Sequence, residues 1–148
     1  MRGRDRLALL GGCLLLLGGC VTLMAPYDEK IDDMATGLQR EISTEIEALR
    51  GAEKPDCLYP GHAGFYRQAR VDVSALSVRA SAHEMNAQTI AQIDALAGAL
   101  DDLEALHKIA TRADRCMRPD EFSDVKRGFD QITGAIIKLE VAKKRGRP

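Results

Sequence analysis

Apolar residues recur at steps of three and four positions in four segments of the chain, which is the spacing of an amphipathic α-helix. The clearest of these patterns lies near the C-terminus and runs through Phe122, Val125, Phe129, Ile132, Ile136 and Leu139. No run of β-branched residues with a period of two competes with it along the chain. The pattern predicts helices over about residues 28–50, 65–83, 86–113 and 120–144.

Glycine and proline separate these predicted helices. Residues 51–64 contain Pro55, Pro60 and three glycines, so this segment is predicted to be a loop. Asn86 is predicted to cap the third helix, because its side-chain oxygen can accept a hydrogen bond from an otherwise unpaired backbone N–H. Four amphipathic helices with short connections predict an all-α fold, an antiparallel four-helix bundle with up-down-up-down topology.

The N-terminus has the pattern of an export signal. Three arginines at positions 2, 4 and 6 precede a leucine-rich run that ends in Leu17-Gly18-Gly19-Cys20. This ending resembles the lipobox of bacterial lipoproteins, in which the matching cysteine is acylated and becomes the new N-terminus. The same four residues occur earlier and end at Cys13, but too few apolar residues precede that copy to form a signal core. Cys20 is therefore the predicted lipidation site.

Two other interpretations of this segment remain open. Residues 7–25 are apolar enough to span a bilayer as an uncleaved anchor, and the run could also be an ordinary cleaved signal. The lipoprotein interpretation divides the chain into a signal peptide (1–19), a lipidated linker (20–27), a four-helix domain (28–144) and a basic tail (145–148). Removing residues 1–19 takes three arginines and one aspartate from 21 basic and 22 acidic residues, leaving a charge of about −3. That balance argues against nucleic acid as a partner.

Two cysteines remain once Cys20 is acylated. In an up-down-up-down bundle, Cys57 between helices one and two and Cys116 between helices three and four lie at the same end. An oxidising periplasm allows them to form a disulfide, and the alternative is two separate buried thiols. The same topology returns Lys143, Lys144, Arg145 and Arg147 to the end that carries the lipid. There they either attract anionic lipid or form a solvated, frayed tail.

The sequence has no pattern typical of a catalytic or metal site. His62, His83 and His107 do not have the spacing of a metal-binding set, and His83 and His107 fall near the predicted core stripes. Cys57 and His62 would make a poor nucleophile and base across a loop rich in proline and glycine. We therefore expect no catalytic residue, no metal, no cofactor and no enzymatic activity.

An aromatic and basic cluster lies at the end of the bundle that carries Cys57. It consists of residues of types enriched at protein interfaces, namely Tyr59, Phe65, Tyr66, Arg67 and Arg70. One interpretation is a partner-binding surface, and the other is that the aromatic rings only cap the core.

Five short sequence elements follow one another along the chain in an order that is typical of a family. They are Ala25-Pro26-Tyr27-Asp28, Cys57-Leu58-Tyr59, Phe65-Tyr66, Leu103-Glu104-Ala105-Leu106-His107 and the segment from Leu139 to Gly146. With the lipobox they resemble a family of small helical proteobacterial lipoproteins. The resemblance implies a membrane-anchored helical domain and brings no activity with it. In lipoproteins generally, Val21-Thr22 after the cysteine implies sorting to the outer membrane.

These observations favour a lipid-anchored periplasmic scaffold or protein-binding module that meets an envelope protein or its own copies. One alternative is an inhibitor or exclusion-type lipoprotein that acts on a transport or transfer machine. Another is a carrier that holds a small hydrophobic ligand between its helices, which would need an apolar cavity.

Overall fold

The structure is a computed structural model that describes residues 24–146. Four helices fill this part of the chain: α1 (Glu29–Gly51), α2 (Tyr59–Ser81), α3 (Ala87–Arg112) and α4 (Pro119–Arg145). Each helix packs against its neighbours in chain order, and α4 closes the ring against α1. The predicted all-α four-helix bundle is confirmed. The signal segment with Cys13, the predicted lipidation site Cys20 and Arg147 lie outside the described residues.

One apolar stripe from each helix forms the core. Tyr66 and Phe122 are the largest wholly buried side chains, and isoleucine and leucine fill most of the remaining core. These stripes pack into one continuous cluster that includes residues from all four helices. Burial of a large aliphatic or aromatic side chain contributes about 1.5–3 kcal/mol, so this shared core is the main source of stability.

Helix α2 begins six residues earlier than predicted. The sequence places residues 51–64 in a loop, but the helix starts at Tyr59 and includes Pro60, Gly61 and Gly64. Proline is compatible with the first turn of a helix, because the N–H groups there have no partner within the helix. The true connection therefore covers only residues 52–58.

Asn86 does not cap α3 with its side chain, which corrects the prediction. Its amide nitrogen donates instead to the backbone oxygen of Ala80, and its Oδ1 accepts a hydrogen bond from Lys143 Nζ at 2.6 Å. The side chain thus joins the end of α2 to α4. The prediction failed because this competing partner lies 57 residues away in the chain.

The two predicted loops with cysteines meet at one end of the bundle. Cys57 and Cys116 lie at disulfide-bonding distance, with 5.4 Å between their Cα atoms. This arrangement agrees with the predicted pairing and not with two separate thiols. We call this the disulfide end. The opposite end, which we call the terminal end, holds residues 24–28, the turn 82–86 and the last turn of α4.

Candidate interaction surfaces

A buried ion pair lies at the terminal end. The Lys143 ammonium contacts the Glu140 carboxylate and also donates to Asn86 and to Thr89 Oγ1, the latter at 2.9 Å. Glu140 also accepts a hydrogen bond from the backbone N–H of Asp28 at 3.2 Å. Both charged side chains are almost wholly excluded from solvent. The three partners of this pair come from α3 and from the segments before α1 and α3.

This geometry corrects both interpretations of Lys143, since the side chain neither faces lipid nor lies in a solvated tail. Its ammonium points into the bundle and satisfies a buried carboxylate, so it is not available to a headgroup. Lys144 and Arg145 are exposed, and Lys144 lies over the Tyr27 ring with Nζ 5.1 Å from the centroid. The predicted basic surface therefore consists of Lys144 and Arg145 within the described residues.

Asp28 joins the start of α1 to the end of α2. Its carboxylate accepts from the backbone N–H of Lys30 at 2.8 Å, which caps α1. It also accepts from the Arg79 guanidinium at 2.9 Å and lies 2.7 Å from His83 Nε2. Burial alone would raise the pKa of Asp28, but the hydrogen bonds from Arg79, His83 and Lys30 lower it to about 2. This carboxylate is therefore ionised under most conditions and holds three elements together.

An aromatic and histidine cluster fills the disulfide end. His107 Nε2 lies 3.0 Å from the carbonyl oxygen of Cys57, and its Nδ1 lies 2.9 Å from the Tyr66 hydroxyl. A carbonyl can only accept, so Nε2 carries the proton and Nδ1 accepts from Tyr66. Burial lowers the pKa of His107 and raises that of Tyr66, which favours this neutral arrangement.

Glu104 connects this cluster to the surface. The Tyr59 hydroxyl donates to Glu104 at 2.5 Å, Lys108 contacts it at 2.8 Å, and Arg70 forms a further ion pair with it. Burial raises the pKa of Glu104, but hydrogen bonds from Lys108, Tyr59 and Arg70 lower it to about 2. Arg70 also reaches Asp101 at 3.0 Å. These contacts pair the polar groups of α2 with those of α3.

The predicted partner-binding cluster is therefore mostly internal. Tyr66 is wholly buried, and Tyr59 and Phe65 are half-buried against the core. Arg67 is exposed, while Arg70 is held by its ion pairs. Of the two interpretations left open by the sequence, the burial of Tyr66 and the half-burial of Tyr59 and Phe65 favour the one in which the rings cap the core.

The histidines also have internal partners. His62 Nδ1 lies 2.5 Å from Glu45, and its Nε2 lies 2.6 Å from the carbonyl oxygen of Asp56. His62 is thus turned toward α1, and Cys57 faces Cys116. Across residues 24–146, no group of three or more His, Cys, Asp or Glu side chains is arranged to hold a metal ion.

Two exposed valines mark a surface that was not predicted from the sequence. Val71 and Val78 on α2 are 60% and 71% exposed, whereas Val73 on the same helix is buried. Val78 borders an open groove of about 320 Å³ between α2 and α3, together with Ser74, Ser77 and Asp94. The sequence already indicated this exposure, because positions 71 and 78 lie outside the predicted core stripe of α2. We call this surface the valine face.

The fold and its paired polar groups place the described chain in the class of small helical bundles. Comparison with protein-family models, curated proteins and solved structures finds no match. Within residues 24–146, no helix is long and apolar enough to cross a membrane.

Proposed function

We propose that this protein is a lipid-anchored, non-enzymatic scaffold or protein-binding module of the bacterial envelope, held on the periplasmic face of the outer membrane through Cys20. The lipobox-like ending at Cys20 supports export and acylation. The Cys57–Cys116 pair supports the same compartment independently, since disulfides persist in oxidising environments and are rare in the cytosol.

The observation that carries the binding role is the valine face. The side chains of Val71 and Val78 are exposed to solvent, whereas the apolar stripe on the opposite side of α2 is buried in the core. The adjacent groove offers Ser74, Ser77 and Asp94 as hydrogen-bonding groups beside this apolar surface. A small apolar surface with a polar edge is the usual composition of a protein interface. The partner is an envelope protein or a second copy of this chain.

The carrier alternative has less support. A carrier needs an apolar cavity, whereas the buried stripes of the four helices pack directly against one another. An inhibitor or exclusion-type lipoprotein would use the same valine face and would differ only in the partner that it blocks.

Metabolic labelling with a fatty acid tests the anchor. The duplicated motif offers a matched control, because Cys13 ends the first copy and Cys20 ends the second. We expect label on the wild type and on Cys13→Ala, and none on Cys20→Ala. An unlabelled wild type, or full labelling of Cys20→Ala, would refute lipidation at this site.

Site-specific photo-crosslinking in cells tests the valine face. We expect one defined adduct from crosslinkers at Val71 and Val78, and none from Thr44, which is exposed on α1. Val71→Asp should abolish the adduct formed from position 78 without unfolding the bundle. The same adduct pattern from Thr44 would show nonspecific capture and would contradict the assignment. An adduct with the mass of two chains identifies a second copy as the partner.

A further inference from the structure

The terminal end exposes two methionine side chains. Met24 is 37% exposed and Met85 is 54% exposed, and both border one shallow depression of about 480 Å³ with Leu139. Met85 lies in the turn between α2 and α3 with a φ of 60°, a conformation uncommon outside glycine. The backbone N–H of Ala25 donates to the oxygen of Met85 at 3.3 Å, which joins the two methionine segments.

The position of Cys20 brings this end close to any membrane that holds its acyl chains. Cys20 precedes Met24 by four residues, and an extended chain covers at most about 3.6 Å per residue, so about 14 Å can separate them. Helix α1 has 23 residues and is therefore about 35 Å long, which keeps the disulfide end much farther from the anchor point.

The charges around the terminal end do not select anionic lipid strongly. Lys144 and Arg145 are exposed there, but so are Glu29 and Glu84. Lys30 and Arg79 are exposed as well, and they form ion pairs with Asp33 and Asp28. Lys143 is neutralised inside the bundle by Glu140. The apolar pair is therefore the distinctive feature of this end, and a methionine side chain adapts well to an irregular apolar environment.

We propose that Met24 and Met85 insert into the lipid interface and hold the bundle upright, with the disulfide end and the valine face directed away from the membrane. This inference rests on the proposed lipidation of Cys20. It assigns the terminal end to a lipid surface and makes the basic residues secondary.

The absence of tryptophan from the chain allows a direct test. Mature protein acylated at Cys20 is reconstituted into phosphatidylcholine vesicles with or without bromine on the acyl chains, and each variant carries one tryptophan. We expect at least twofold quenching of Met85→Trp by brominated lipid. The matched control is Ile109→Trp, at a position 49% exposed and one turn from the disulfide end of α3, which should not be quenched. Met24→Trp is a second reporter if Met85→Trp does not fold.

Each other outcome of this experiment overturns the inference. Equal quenching at positions 85 and 109 means that the bundle lies flat on the membrane, and no quenching at 85 and 24 means that the terminal end stays in water. Quenching that appears only after anionic lipid is added means that the basic residues, and not the methionines, drive the contact. The intact mass of the same sample reports acylation, so a missing acyl group refutes the proposed anchor, whereas an acylated but unquenched protein refutes this inference alone.

Discussion

Among single residues, Asp28 makes the stability of the bundle sensitive to acid. Its pKa is about 2 in the folded protein, against an ordinary value of 3.8. A carboxyl whose folded pKa is depressed contributes stability above its unfolded pKa and loses that contribution as the pH falls toward the folded pKa. We expect Asp28→Asn to lower the free energy of unfolding by about 2 kcal/mol near neutral pH.

Urea unfolding at a series of pH values measures this effect. The gap between wild type and Asp28→Asn should close as the pH falls from about 4 to 2. Some acid sensitivity should persist in the variant, since Glu104 also has a pKa of about 2. Asp33→Asn is the control, because the ion pair of Asp33 with Lys30 is exposed to solvent. A pH-independent gap would contradict the role given to the Asp28 charge.

Among residues of the terminal end, we expect substitution of Lys143 to lower the free energy of unfolding most. Lys143→Met leaves the Glu140 carboxylate buried without its cation, which typically destabilises a protein by about 3–5 kcal/mol. Chemical denaturation of Lys144→Met provides the neighbouring control, and this exposed change should fall within about 0.5 kcal/mol of the wild type. The double change Lys143→Met with Glu140→Leu should cost less than Lys143→Met alone. Equal losses from Lys143→Met and Lys144→Met would disprove the buried pair.

The register of α4 already contained the information that Lys143 is inside. Phe129, Thr133, Ile136, Glu140 and Lys143 lie at steps of three and four and form the buried face. Residue type pointed the other way, because lysine and glutamate are rarely buried unless they are paired. The partners Asn86 and Thr89 are distant in sequence, so the pattern of α4 alone could not predict that pairing.

At the scale of elements, helix existence was predictable and one boundary was not. The apolar stripes located all four helices, because burying them is the main gain on folding. The predicted start of α2 was wrong because of Pro60. A proline inside a helix disrupts it, whereas a proline in the first turn is favourable. Whether Pro60 breaks or begins the helix depends on how this segment contacts the rest of the bundle. One such contact is the hydrogen bond from the Tyr59 N–H to Thr111 Oγ1 at 2.8 Å.

Helix α3 contains a glycine that the packing does not require. Gly98 is exposed, and a Cβ placed on it would meet no atom within 4 Å. Alanine is favoured over glycine by about 1 kcal/mol inside a helix, so Gly98→Ala should raise the free energy of unfolding by about that amount. Thermal unfolding followed by circular dichroism checks it. A lower melting temperature than the wild type would mean that Gly98 serves a contact outside the described bundle.

For the whole molecule, the disulfide should set much of the stability. Cys57 and Cys116 are 59 residues apart, and closing a loop of that size stabilises a fold by about 4 kcal/mol in the chain-entropy account. Cys57→Ser with Cys116→Ser should lower the free energy of unfolding by an amount of that order. Adding reductant should affect the wild type and leave the double variant unchanged. Equal stability of the wild type with and without reductant would contradict the pairing.

The bundle and its disulfide end followed from the sequence, whereas the surfaces did not. Short connections between amphipathic helices dictate which loops share an end, and this brought Cys57 and Cys116 together. Surface character depends on which apolar residues are left over after packing. The hydroxyls of Tyr59 and Tyr66 form hydrogen bonds within the bundle, whereas the side chains of Val71 and Val78 remain exposed.

The disulfide also determines how the protein carries mechanical load. Tension applied between residues 24 and 146 runs through α1, across the bond between Cys57 and Cys116, and back through α4. Helices α2 and α3 lie in the closed loop outside that path. About 200 Å of chain is thereby withheld from extension. A force that unfolds α1 and α4 therefore does not stretch α2, which carries the valine face, because the disulfide closes the loop that contains it.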